Sequence, residues 1–95
     1  MKHMFDFIAK NIKEWKIDFI TWVGDNGVHN VYDYSQEEVA GITRNITREL
    51  QHSLKDYPEL EFFPTIGNHD TWPVNVQDFS KPNNIWTVNH FKETW

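Results

Sequence analysis

Two short apolar runs in this chain end in the same way. Ile17-Asp18-Phe19-Ile20-Thr21-Trp22-Val23 runs straight into Gly24-Asp25-Asn26, and Phe63-Pro64-Thr65-Ile66 runs into Gly67-Asn68-His69-Asp70. In each, a glycine breaks the run and polar side chains follow at once. That is the pattern of a buried strand delivering ligands or acid–base groups at its carboxyl end. Asp25 offers a carboxylate able to bridge two cations. Asn68 offers a neutral amide oxygen, which binds a cation without adding charge. Imidazole and carboxylate donors together suit Zn, Fe or Mn better than Ca. Two such cations can clamp a phosphate and lower the pKa of a water between them. His29 follows the first run and His69 the second, and either imidazole could protonate a departing alkoxide near neutral pH.

The elements between the runs decide whether these groups meet. Ser35-Gln36-Glu37-Glu38 has the form of a capping box. Behind it Val39, Ile42, Ile46, Leu50 and Leu54 share one helical face, and Pro58 lies past the end. This predicts a helix from Ser35 to Lys55, with Gly41 a mild weakness in it. The apolar runs, Ile17 to Val23 and Leu60 to Ile66, are nearly continuous rather than alternating, which predicts strands buried on both faces of a parallel sheet. Strand, helix, strand makes a βαβ unit. Both strands then end on the same edge of the sheet, where ligands bind in open α/β folds. Asp25, His29, Asn68 and His69 are therefore expected to converge.

The flanks carry no chemistry of their own. Phe5, Ile8, Ile12 and Trp15 recur at helical spacing and predict a packing helix from Lys2 to about Glu14. Thr71 to Trp95, with Pro73, Pro82 and several Asn, reads as loop with one short strand around Ile85 to Val88. His3, His52 and His90 match no pattern and read as surface residues. Asn45-Ile46-Thr47 has the form of a glycosylation acceptor, with Asn45 facing outward if Ile46 faces the core.

Composition sets bounds. The 95 residues allow one small domain, or a piece of a larger one. With a net charge of −5 and no basic run, the chain is not expected to have a nucleic-acid partner. The absence of Cys leaves no disulfide or thiolate metal site in the chain. Its apolar runs are too short to cross a bilayer, so no transmembrane segment is expected. The amino-terminal residues, broken by Asp6 and Lys10, do not read as a signal peptide.

Gly67-Asn68-His69-Asp70 resembles the Gly-Asn-His-[Asp/Glu] motif of calcineurin-like metallophosphoesterases, and Gly24-Asp25 their preceding motif. The resemblance is greatest to the acid sphingomyelinase branch. His29 lies four residues after Asp25, Pro73-Val74-Asn75 follows the Gly-Asn-His motif, and both strands look similar, over about Ile17 to Phe79. The resemblance implies a dinuclear zinc phosphodiesterase cleaving sphingomyelin, a phospholipid, to ceramide and phosphocholine. Asp25 would bridge the zinc ions and Asn68 bind one. His29 and His69 would act on the leaving group, and Asp70 would orient His69. It implies a secreted or lysosomal protein built as a four-layer α/β/β/α sandwich. No Asp-x-His, Gly-His or His-x-His occurs here, so the family's first motif and its carboxyl-terminal His motifs are missing. Residues 1–95 are accordingly expected to form a partial domain, a fragment inactive alone. The same motifs fit a phosphoesterase acting on nucleotides or other phosphoesters, and a partial chain also fits a non-catalytic remnant.

Overall fold

A computed structural model describes residues 1–29, 33–76, 80–81 and 85–95. The first element is α1, Lys2–Trp15, one residue longer than its apolar spacing predicts. It stops at Lys16, which takes a left-handed conformation (φ 52°) while the Ile17 N–H bonds back to Ile12 O at 3.2 Å. That reversal feeds the chain into β1, Phe19–Trp22.

The next helix, α2, covers Gln36–Ser53 and starts at the expected capping box. The Ser35 N–H donates to Glu38 Oε2 at 2.7 Å and the Glu38 N–H to Ser35 Oγ at 3.3 Å. These bonds hold the Glu38 carboxyl below its usual range, with the Ser35 backbone the larger cause. The buried face of α2 is wider than one apolar stripe. Val39, Ala40, Thr43, Ile46, Thr47 and Leu50 are all buried, because α1 packs on one side and a later helix on the other. The buried Thr43 and Thr47 hydroxyls donate to the Val39 and Thr43 carbonyls, so neither is left unpaired.

Strand β2, Glu61–Pro64, pairs with β1 in parallel, with Phe19 opposite Glu61 and Trp22 opposite Pro64. A Thr65 N–H to Trp22 O bond of 2.8 Å carries the pairing one residue further. The parallel βαβ arrangement read from the sequence is present, as two parallel strands with three α-helices. The expectation that both strand faces are buried is not met. Burial alternates along both strands, and Phe19 and Phe63 stand on the open face, 57% and 50% exposed, in edge-to-face contact. The covered face holds Trp22 and Phe62 against a core of Phe5, Ile46 and Leu50. Among the described residues the sheet has two strands, with helical packing on that face.

The tail departs most from expectation. Ile85–Thr94 is a helix, α3, rather than a loop with a strand at Ile85 to Val88. Thr87, His90 and Phe91 are buried at helical spacing, and α3 packs on α2. The β-branched residues that suggested a strand are overridden by this packing. Trp95 stacks on Phe62 at 4.8 Å, closing the core at its carboxyl end. His90 is accordingly not a surface residue: it is 7% exposed and stacked parallel to Trp86. His3 and His52 are exposed as expected.

Two outcomes follow from this packing. Phe5 is 1% exposed and touches the Trp22 ring at 5.7 Å. Phe5→Ala should lower unfolding free energy by about 3–5 kcal/mol, measured by urea denaturation. Burial holds the His90 imidazole below its usual pKa of 6.5, helped by the Arg44 charge and opposed by Glu93, Glu37 and the Ala40 backbone. The folded state therefore favours neutral His90, and the unfolded state binds the extra proton first. Stability from this residue is present above pH 6.5 and lost as pH falls through the lower folded value. Denaturation midpoints between pH 7.5 and 5 should fall more steeply for the wild type than for His90→Phe.

Candidate functional site

The carboxyl ends of β1 and β2 are parallel neighbours, so the segments that leave them meet. After β1 the chain turns through Gly24 (φ 78°) and Asp25 (φ 57°). After β2, Thr65 to Gly67 lead into a single 3₁₀ turn, Asn68–Asp70. A left-handed Asp is uncommon and costs about 1–2 kcal/mol, so the surroundings must enforce it. They do so through Asp70, which is 1% exposed. Asp70 Oδ2 accepts from Asp25 N–H at 2.7 Å and Gly67 N–H at 2.8 Å. Asp70 Oδ1 accepts from Asn26 N–H at 2.9 Å and Asn26 Nδ2 at 2.8 Å. In the other direction, the His69 N–H donates to Asp25 Oδ1 at 3.0 Å.

Close approach of the two segments depends on two glycines. A Cβ on Gly24 would sit 2.6 Å from both Asp70 Oδ2 and Thr65 O, and one on Gly67 would sit 2.5 Å from Asp25 N. The breaks in the two apolar runs are thus positions where no side chain fits.

All four predicted site residues converge. Asp25 is exposed, with Oδ1 on the His69 N–H. The Asn68 side-chain N–H donates to Asn75 Oδ1 at 2.8 Å, which turns the Asn68 amide oxygen away from Asn75. Thr71 Oγ1 donates to Asn68 O at 2.9 Å, and the Asn75 N–H reaches the same carbonyl at 3.3 Å. The His29 and His69 rings lie 4.7 Å apart at 46°, with His69 Nδ1 3.3 Å from Val28 O. Beside His69 is a small cavity of about 20 Å³ lined also by Gly27, Val28, Tyr34 and Trp72, roomy enough for one water. Asn45 is exposed on α2 as expected, although Thr47 of the same tripeptide is buried.

Asp70 differs from its expected role. Its carboxylate bonds to the backbone of Asp25, Asn26 and Gly67, and the His69 ring instead faces the Val28 carbonyl. Asp70 therefore ties the two loops together rather than orienting the His69 imidazole. Sequence reasoning assigned no role to Asn26, whose amide links Asp70 to Trp22 Nε1, or to Asn75. Position was the available signal: Asn26 follows Asp25, and Asn75 ends Pro73-Val74-Asn75.

The donor set can be weighed against a metal. Asp25 and Asn68 are of suitable type, but a catalytic zinc takes about three protein ligands. Among the described residues there is no group of three or more His, Asp or Glu that could hold an ion. The residues present do not by themselves fit zinc.

Comparison with known proteins finds enzymes that hydrolyse phosphate bonds. A cyclic GMP-AMP phosphodiesterase of Bos taurus is 38% identical over 88 residues, covering 85% of this chain and 18% of that protein. Sphingomyelin phosphodiesterase A of Dictyostelium discoideum is 31% identical over 80 residues, covering 84% of this chain and 13% of its own length. An endopolyphosphatase of Neurospora crassa is 32% identical over 98 residues, covering 96% of this chain and 13% of that protein. No protein-family profile matches the chain. The relatives are named for hydrolysis of phosphate esters or polyphosphate, and they place this α/β chain with the phosphoesterases. Within that class its similarity is to the acid sphingomyelinase-like phosphoesterases, over part of their length. It spans less than a fifth of each of these three relatives.

The loop geometry gives a direct test. Gly24→Ala adds a methyl where two oxygens already sit and retains a positive φ. It should destabilise the chain by roughly 2–4 kcal/mol, from overpacking and left-handed strain together, measured by urea denaturation. Gly41→Ala, where the nearest atom is Arg44 Nη2 at 3.9 Å, should be neutral or stabilising.

Proposed function

We propose that this chain carries part of a phosphodiester-hydrolysing site, with Asp25 and Asn68 as metal ligands and His29 and His69 on the leaving-group side. One observation carries the reading: those four residues meet at the carboxyl ends of two parallel strands, with the His29 and His69 rings 4.7 Å apart. Imidazoles in that position can hold a proton for the departing oxygen. The Asp25 carboxylate keeps one oxygen free of the His69 N–H bond, and the Asn68 side chain meets Asn75 through its N–H, so its amide oxygen does not face Asn75.

Zinc is the metal this reading favours. Two ions, when bound, would supply Lewis-acid polarisation of the phosphoryl oxygens. The remaining ligands would have to come from residues outside this chain, so the 95 residues alone are proposed to be inactive. Sphingomyelin is the substrate named by the Dictyostelium relative and the one we favour, which would make a phospholipid the partner. A nucleotide substrate is the second reading, supported by the 38% identity to the Bos taurus cyclic GMP-AMP phosphodiesterase. A secreted or lysosomal setting fits the sphingomyelinase reading and would expose Asn45 to glycosylation. No helix among the described residues is long and apolar enough to cross a membrane.

The test is a chimera in which this chain replaces the aligned segment of the Dictyostelium sphingomyelin phosphodiesterase. The chimera should cleave sphingomyelin, and Asp25→Ala or Asn68→Ala should abolish cleavage. His29→Ala and His69→Ala should each lower turnover of sphingomyelin by about 10²–10⁴-fold while reducing a chromogenic diester, with its better leaving group, much less. Equal losses on both substrates, together with lost zinc, would show ligation instead. A folded, zinc-loaded chimera with no hydrolysis would identify the segment as a non-catalytic remnant. For the chain alone, added zinc should barely shift the thermal midpoint.

A further inference from the structure

We infer that Asp70 is a positioning residue whose carboxylate, used up on four N–H groups of the two loops, sets the direction of the Asp25 carboxylate. The inference deepens the phosphodiesterase reading, since Asp25 matters to function only if that reading holds. The geometry stands without it.

Each Asp70 oxygen already accepts two hydrogen bonds, from Asp25 N and Gly67 N on Oδ2 and from Asn26 N and Nδ2 on Oδ1, all between 2.7 and 2.9 Å. A carboxylate has about four lone-pair sites. Asp70 is thus saturated and buried, while Asp25, 45 residues earlier, is exposed and has the freer carboxylate. The two acids of this site have separated roles: one faces outward, and the other holds it from behind. Asp25 needs that support because its φ of 57° is unfavourable for any residue with a side chain. The bond from its own N–H to Asp70 holds the peptide in the turned state, and only in that state does Oδ1 meet the His69 N–H.

The support reaches the core. Trp22 Nε1 donates to Asn26 Oδ1 at 2.8 Å, and the Asn26 amide passes on to Asp70. The Trp22 ring itself rests on Phe5 of α1. A continuous path thus runs from the packed face of α1 through one indole, one amide and one carboxylate to the backbone of Asp25.

The experiment uses the whole 95-residue chain, labelled with ¹⁵N, and measures amide hydrogen exchange, the coupling constant that reports φ at Asp25, and the ring contact between His29 and His69. In the wild type the amides of Asp25, Asn26 and Gly67 should be protected, and Asp25 should report a positive φ. Asp70→Asn replaces an acceptor by a donor facing two N–H groups. It should speed exchange at Asp25, Gly67 and His69 roughly tenfold or more, the expected loss for charge-assisted bonds. It should also return the Asp25 coupling to an extended value and weaken the His29–His69 contact, with α1 and α2 amides unchanged. Asn26→Ala, which keeps the Asp70 charge and both Oδ2 bonds, should speed the Asn26 amide and leave Asp25 turned. If Asp70→Asn unfolds the chain, Trp22→Phe, which removes the N–H donor and keeps a smaller aromatic ring against Phe5, must still loosen Asn26. Unprotected Asp25 and Gly67 amides in the wild type would overturn the inference, as would a uniform rise in exchange with Asp25 still turned. A chimera without phosphodiesterase activity but with these local signatures would defeat the functional reading and leave the positioning role standing.

Discussion

Two loops that leave neighbouring parallel strands are held together by a reciprocal exchange between carboxylates and backbone N–H groups. Asp70 accepts from Asp25, and Asp25 accepts from His69. Neither bond can form unless the loops approach within a side chain's width, which is why Gly24 and Gly67 stand where a Cβ would overlap the other loop. Charge-assisted bonds of this kind are shorter and stronger than neutral ones. Here they offset the cost of a left-handed aspartate and of a carboxylate removed from water. A buried carboxylate with a missing donor would be expensive, so Asp70 is tolerated at 1% exposure because its acceptors are filled.

That exchange depends on the strands being parallel and in register, and the register depends on α2. The helix spans the distance between the carboxyl end of β1 and the start of β2, and Ile46 and Leu50 pack with Phe5 under the sheet. The capping box fixes where α2 starts. Trp22 belongs to both systems. Its ring is packed against the core, and its N–H bonds to the loop that carries Asp25. Packing and site geometry are therefore not separable at this residue.

Much of this was legible in the sequence because it is written in short-range patterns. The 3.6-residue spacing of Phe5, Ile8 and Ile12, the capping box at Ser35, and the two glycines ahead of polar residues each report a local structure directly. The convergence of Asp25, His29, Asn68 and His69 followed from one topological step, two parallel strands. What was not legible depends on partners distant in sequence. Ile85-Trp86-Thr87-Val88 favours a strand by composition, and it is helical because Thr87, His90 and Phe91 find the flank of α2. Nothing near His90 announces that it will be buried. Continuous apolar runs read as strands covered on both faces, yet Phe19 and Phe63 stand about half exposed, covered only in part by each other. The role of Asp70 was misassigned for the same reason: three of its four donors lie 44 or 45 residues away, and the family resemblance pointed to His69 instead.

The sheet is covered on one face only by helices of the described residues, and the site at its end is likewise one-sided. One face of the strands is packed by helices and carries Trp22 and Phe62; the other leaves Phe19, Phe63 and Val23 exposed. Exposed apolar surface beside unpaired strand edges is the surface a further layer would cover. At the carboxyl end of the same strands, Asp25 and Asn68 are two donors of metal-binding type, fewer than the roughly three protein ligands a catalytic zinc takes. By contrast, four polar groups find their partners among the described residues: the Asp70 carboxylate, the Thr43 and Thr47 hydroxyls, and the Asn68 side-chain N–H.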